Sequence, residues 1–224
     1  MEYIVNSGFK IYCGFEVTGI HISNAVAQTN TILSDLPSTL YRIIDYKTTS
    51  AMIGAIFCDT LAGFIDGIVN PIEKGHPDIL PPEAQGCSEE QLRNYPEGLE
   101  VKCTIGNIVK GANLRAGETR INNLTGITWQ AHHREVKALL GLVWDFVDNE
   151  QAFNYPALTA AFYTDDLTAN DWGEISGTTG RNTKVTGMLK GGKRKMGEGW
   201  VTMLRRPEYA SRYTELLGFK IQMG

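Results

Sequence analysis

Two short segments hold residues whose types and spacing could do chemistry: Gly75-His76-Pro77-Asp78-Ile79-Leu80 and Gly98-Leu99-Glu100-Val101-Lys102-Cys103. Residues 99–105 alternate apolar and polar side chains, which predicts a strand. On a strand, side chains at i and i+2 share a face, so Glu100 and Lys102 project together while Val101 packs opposite. Asp78, entering from a neighbouring strand, can then share a divalent cation with Glu100, and the Val101 carbonyl adds a further oxygen. Mg²⁺ suits such a set, because it prefers hard oxygen ligands and keeps several waters. A metal held by two carboxylates can activate a water and stabilise developing charge in a hydrolysis. Lys102 beside it would orient or deprotonate the water and neutralise developing charge. A base role requires its pKa to be lowered by the metal and by partial burial.

These residues need elements that bring position 78 beside position 100. Helices are predicted over 20–33, over 38–46 with Ser38 as cap after Pro37, and over 49–65. In the last, Met52, Ile56, Phe57, Leu61, Phe64 and Ile65 recur at helical spacing. A short strand follows at 67–72, and the Pro-, Glu- and Gln-rich stretch 80–98 holds a short helix at 88–93 capped by Ser88. Residues 137–147 (KALLGLVWDFV) read as a buried central strand and 158–164 as the next. Pro207 and Gly218 bracket a final helix in the first-position and past-the-end places they favour. The polar, basic, glycine-bearing stretches 106–123 and 176–199 are read as loops. The expectation is one α/β domain, a central mixed sheet flanked by helices. It has an N-terminal helical part (about 1–48) and a C-terminal basic loop and helix (about 176–224).

With Pro77-Asp78 as first half and Glu100-Val101-Lys102 as second, the pattern resembles the signature of the PD-(D/E)XK nuclease superfamily. The order helix, strand, strand, strand, strand is similar to that family's core, and the resemblance is confined to the motif and this order. It implies a restriction-endonuclease-like core and Mg²⁺-dependent hydrolysis of double-stranded DNA. The most similar class is the type II restriction endonucleases: homodimers that cut short palindromes in a prokaryotic cytoplasm. Structure-specific or repair nucleases of the superfamily are the alternative, and a non-catalytic DNA-binding module with an accidental motif is another. In the last, Asp78 is a turn residue after a proline and Glu100 and Lys102 a solvated pair. Many members carry an acid on the helix before the first strand. Asp59 matches that place, on the face of Met52 and Ile56 at about 100° per residue, with Glu73 as competitor.

Three basic regions suit DNA. Lys110, Asn113, Arg115 and Arg120 follow the motif strand, and Arg and Lys match guanine edges as Asn matches adenine. Lys190, Lys193, Arg194 and Lys195, with Arg181 and Lys184 upstream, form the strongest basic concentration and suit phosphates. Gln130, His133 and Arg134 are candidates for DNA or substrate contacts, since the adjacent His132 and His133 diverge and lack a third metal ligand. Trp129, Trp144, Trp172 and Trp200 read as core or interface residues.

Bulk properties exclude several classes. The chain has 224 residues, 42 % hydrophobic and 21 % charged, with a net charge of −4, which fits a globular domain and argues against indiscriminate coating of nucleic acid. Cys13, Cys58, Cys87 and Cys103 form no zinc spacing, and no signal-peptide pattern opens the chain, so reduced thiols in a cytoplasm are expected. The most apolar stretch, 51–72, is interrupted by Asp59 and Asp66, so no membrane segment is expected. Neither GxGxxG nor GxxxxGK[ST] occurs.

Overall fold

A computed structural model describes residues 1–106, 127, 129–132, 134–148, 154–176 and 185–218, apart from the side chains at 42, 148, 154 and 216. The chain starts with β1 (Tyr3–Val5), a hairpin of β2 (Lys10–Tyr12) and β3 (Glu16–Thr18), then α1 (Gly19–Asp35), α2 (Ser38–Ile43) and α3 (Tyr46–Ala62). Next come β4 (Ile68–Val69), β5 (Ile79–Leu80), α4 (Glu89–Arg93), β6 (Val101–Ile105), β7 (Gln130–Ala131), β8 (Leu139–Asp148) and β9 (Asn154–Thr164). The chain closes with β10 (Thr186–Gly187), α5 (Lys190–Glu198), β11 (Trp200–Leu204) and α6 (Pro207–Leu217).

The central sheet has five strands in the order β1-β11-β9-β8-β6, with β6 parallel to β8 and the other pairs antiparallel. This is the expected α/β class with a mixed sheet between helices. The run LLGLVWDFV of β8 is apolar on alternate and intervening positions because both faces are covered. Leu140, Leu142 and Trp144 pack with Ile22, Ile53 and Phe57 of α1 and α3. Val143, Phe162, Met196 and Tyr213 form the core of the opposite layer, under α5 and α6. Asn30 of α1 is buried in the first layer and binds the backbone of Leu158 both ways, at 2.7 and 3.0 Å, so its amide is satisfied.

Caps account for the helix ends. Thr18 caps α1 in a reciprocal box with His21, and Ser88 caps α4 as expected. The second helix begins after Pro37 without a side-chain cap, so Ser38 lies inside it. The third starts at Tyr46 because Asp45 accepts from the Thr48 N–H at 2.9 Å. Gly218, with φ 72°, ends α6 in the expected place.

Three expectations need correction. The N-terminal part is not purely helical: β1 joins the central sheet by pairing with β11. The strand expected at 67–72 shrinks to Ile68–Val69 and pairs with β5 in a separate two-stranded sheet. Residues 190–198, read as loop, form α5, and β11 follows at once. Among the described residues no helix is long and apolar enough to cross a membrane.

Candidate active site

The two motif segments cross at the β6 edge of the sheet. Ile79 and Leu99 exchange backbone hydrogen bonds of 3.1 and 2.8 Å. The backbones approach so closely that a Cβ on Gly98 would lie 2.3 Å from the Ile79 carbonyl oxygen, and Gly98 has φ 136°. Only glycine accommodates both. Asp78 therefore sits just before β5 rather than on a strand of the main sheet. Its Oδ2 accepts from the Val101 N–H at 2.7 Å. Asn70 holds the far side of the loop: its Nδ2 donates to the carbonyls of Pro77 (3.0 Å) and Leu92 (2.9 Å), and its N–H donates to the Asp78 carbonyl (2.9 Å). The motif search missed Asn70, although the Asn70-Pro71 dipeptide is a turn signal.

Glu100 and Lys102 meet on one face of the strand. Lys102 Nζ donates to Glu100 Oε1, lies 3.7 Å from Asp78 Oδ2, and reaches the Val101 carbonyl oxygen at 3.3 Å. Three oxygens thus gather round one ammonium, and they belong to the three residues expected to hold a cation. His76 is a further member that the sequence reading missed. Its Nδ1 lies 3.1 and 3.2 Å from the two Glu100 oxygens, and its place two residues before Asp78 was the available signal.

The charges are unevenly shared. Burial and the charge of Glu100 push the Asp78 carboxyl above its ordinary pKa, against the pull of Lys102. Burial would also raise Glu100, but His76 and Lys102 outweigh it and hold the group low. Burial opposes the charge on Lys102, yet the two carboxylates prevail and raise its pKa. The two carboxylates thus favour the ammonium form of Lys102 in this arrangement. The hydrogen bond to Glu100 raises His76.

The donor set fits a hard cation. Two carboxylate oxygens and a carbonyl converge on a point now filled by a positive group, and the Asp78 side chain is 33 % exposed, open to water ligands. Among the described residues no three His, Cys, Asp or Glu side chains gather as a metal set. Beside the cluster opens a cleft of about 310 Å³, lined by His76 and Glu100 and also by Tyr95, Glu97 and Lys137. A wider depression of about 460 Å³, at Pro71, Glu73, Lys74 and Arg93, includes no member of the cluster.

The remaining site residues sort as follows. Asp59 is exposed on α3, and the α3 residue in the field of the cluster is Cys58, whose buried thiol is pushed up by burial and then by Asp78. Glu73 is exposed in the wider depression. Arg134, expected at DNA, donates to the backbone carbonyls of Ala169 (2.5 Å) and Trp172 (3.3 Å) and so ties down a connection. Lys195 pairs with the buried Asp171 at 2.9 Å, a structural contact. Lys190 and Arg194 are exposed on α5, and Lys193 is half-buried there. That helix covers the sheet face of Lys102: Lys102 pairs in register with Gly141, where a Cβ would lie 2.5 Å from Met196 Cε. Gln130 is exposed on β7. Trp129, Trp144 and Trp172 are core residues. Lys110, Asn113, Arg115, Arg120, His133, Arg181 and Lys184 lie outside the described residues. Comparison with protein-family models, curated proteins and solved structures finds no significant match.

Proposed function

We propose that this protein is a Mg²⁺-dependent endonuclease that hydrolyses phosphodiester bonds of double-stranded DNA. The observation that carries the reading is the convergence of Asp78 Oδ2, Glu100 Oε1 and the Val101 carbonyl on a single ammonium at a sheet edge. Bound Mg²⁺ would supply Lewis-acid activation of water and of the phosphoryl oxygens. The Val101 N–H orients Asp78, and His76 orients Glu100 and helps keep it ionised. Lys102, on a four-carbon stem, can turn its charge from the carboxylates to the phosphate and offset the charge that develops there. Lys190, Lys193 and Arg194 are proposed phosphate contacts from the helix that covers this sheet face. Action on a palindrome as a homodimer, in the manner of a type II restriction enzyme, rests on the motif resemblance.

Wild type and Lys102→Ala are incubated with unmethylated phage-length duplex DNA, in Mg²⁺ and in EDTA. Discrete fragments from wild type in Mg²⁺ alone are the expected result and mean a sequence-specific enzyme. A smear with the same dependences keeps the chemistry and moves the role to a nonspecific or repair nuclease. No cleavage of plain or branched DNA would overturn the reading in favour of a DNA-binding module.

A further inference from the structure

Resting on the nuclease reading, we propose that the cleft beside Glu100 receives one unstacked nucleotide of the DNA, next to the phosphate being cut. Position is the first argument. His76 and Glu100 belong both to the charged cluster and to the cleft lining, so an occupant of the cleft abuts the reacting phosphate. Size is the second. At about 310 Å³ the cleft lies at the small end of ligand pockets, roughly 300–1,000 Å³, which suits one nucleoside and not a stacked base pair.

Lining chemistry is the third argument and separates the base from its phosphate. Tyr95, Pro96 and Val136 offer flat or apolar surface of the kind on which a base stacks. Glu97 is an exposed carboxylate of the lining, whereas Glu100 is already held by His76 and Lys102. The Glu97 carboxylate favours the exocyclic amine of a base, as carboxylates accept from cytosine N4 in groove readout. The phosphate is left outside, where Lys102 and the proposed cation stand. Tyr95 is half-buried, and its backbone N–H donates to the His76 carbonyl at 2.8 Å. The stacking surface is thereby fixed to the same loop that carries Asp78.

The test uses the full chain and three oligonucleotides containing 2-aminopurine, whose fluorescence reports stacking: a perfect duplex, a duplex with one unpaired 2-aminopurine, and a single strand. Binding is measured with Ca²⁺ in place of Mg²⁺, and cleavage of the same DNAs with Mg²⁺. The duplex with the unpaired base is expected to bind about 10-fold more tightly than the perfect one, the effect of one stacking aromatic. In Tyr95→Ala that ratio falls to about one. Tyr95 packs against a small core cluster, so Glu97→Gln, at an exposed position, gives a second reading and lowers the ratio in part. A wild-type ratio near one, or a ratio unchanged in both variants, overturns the cleft proposal while Mg²⁺-dependent cleavage keeps the nuclease reading. Absence of cleavage of every DNA overturns both.

Discussion

At Lys195 a buried carboxylate, Asp171, meets a full set of donors and the second carboxylate, Asp166 at 3.4 Å, is exposed, whereas at Lys102 both carboxylates are largely buried. Asp171, 6 % exposed, accepts from Lys195 Nζ (2.9 Å), the Thr168 N–H (2.8 Å) and the Thr168 hydroxyl (3.0 Å). Burial would raise its pKa, but Lys195 and Thr168 outweigh that and hold it low. Asp78 has the Val101 N–H and a distant share of Lys102, and burial, then the charge of Glu100, raise it. The same residue types thus make a saturated structural pair in one place and, in the other, a carboxylate, Asp78, that keeps few donors.

The largest predicted break in this comparison is catalytic. Lys102→Ala should lower DNA cleavage by about 10²–10³-fold or more, the usual loss for one transition-state charge or donor, with circular dichroism unchanged. Next is cation binding without catalysis. Mg²⁺ at about 100 times its Kd should stabilise the wild type by roughly 2.7 kcal/mol, read as a rise in Tm. Asp78→Asn should lose that rise and Asp171→Asn should keep it. A third, smaller effect belongs to the structural pair: Asp171→Ala strands the Thr168 N–H and should cost about 2 kcal/mol, a fall in Tm of about 4–8 °C.

The smallest effect is a difference in pH slope, measured as stability of wild type against each Asp→Asn variant in urea. Asp171 has a lowered folded pKa, so its contribution is present above the unfolded value near 3.8 and is lost as pH falls through the folded one. Asp78 has a raised folded pKa. Its neutral form is favoured in the fold, so its contribution is present below about 3.8 and is lost as pH rises through the folded value. Acidification should therefore narrow the advantage of wild type over Asp171→Asn and favour wild type over Asp78→Asn. Parallel slopes would remove the distinction between the two sites.

Much of the scaffold was readable because its signals are local. The apolar run of β8, the Ser88 cap and the Pro207 and Gly218 brackets act within a few residues of where they stand. The motif residues were readable for the same reason, since the i, i+2 geometry of Glu100 and Lys102 needs only a strand. Residues 190–198 were not, because KGGKRKMGE has the composition of a loop. There Gly192 serves close packing: a Cβ would lie 2.8 Å from Met188 Cγ and 3.0 Å from Asp171 Cβ. Strand β1 was missed because its three residues gain their partner, β11, from the other end of the chain.

The sequence by itself determined the class of fold and the same-face spacing of Glu100 and Lys102, because periodicity and functional groups are properties of neighbouring residues. Tertiary structure alone decided that Asp78 approaches from a loop crossing at Gly98, that His76 joins Glu100, and that Asp59 is exposed on α3. It also decided that Arg134 and Lys195 are spent on the fold's own carbonyls and carboxylates. Those outcomes depend on distances between residues far apart in the chain, and charge, which acts through space, takes its value only once those distances are set.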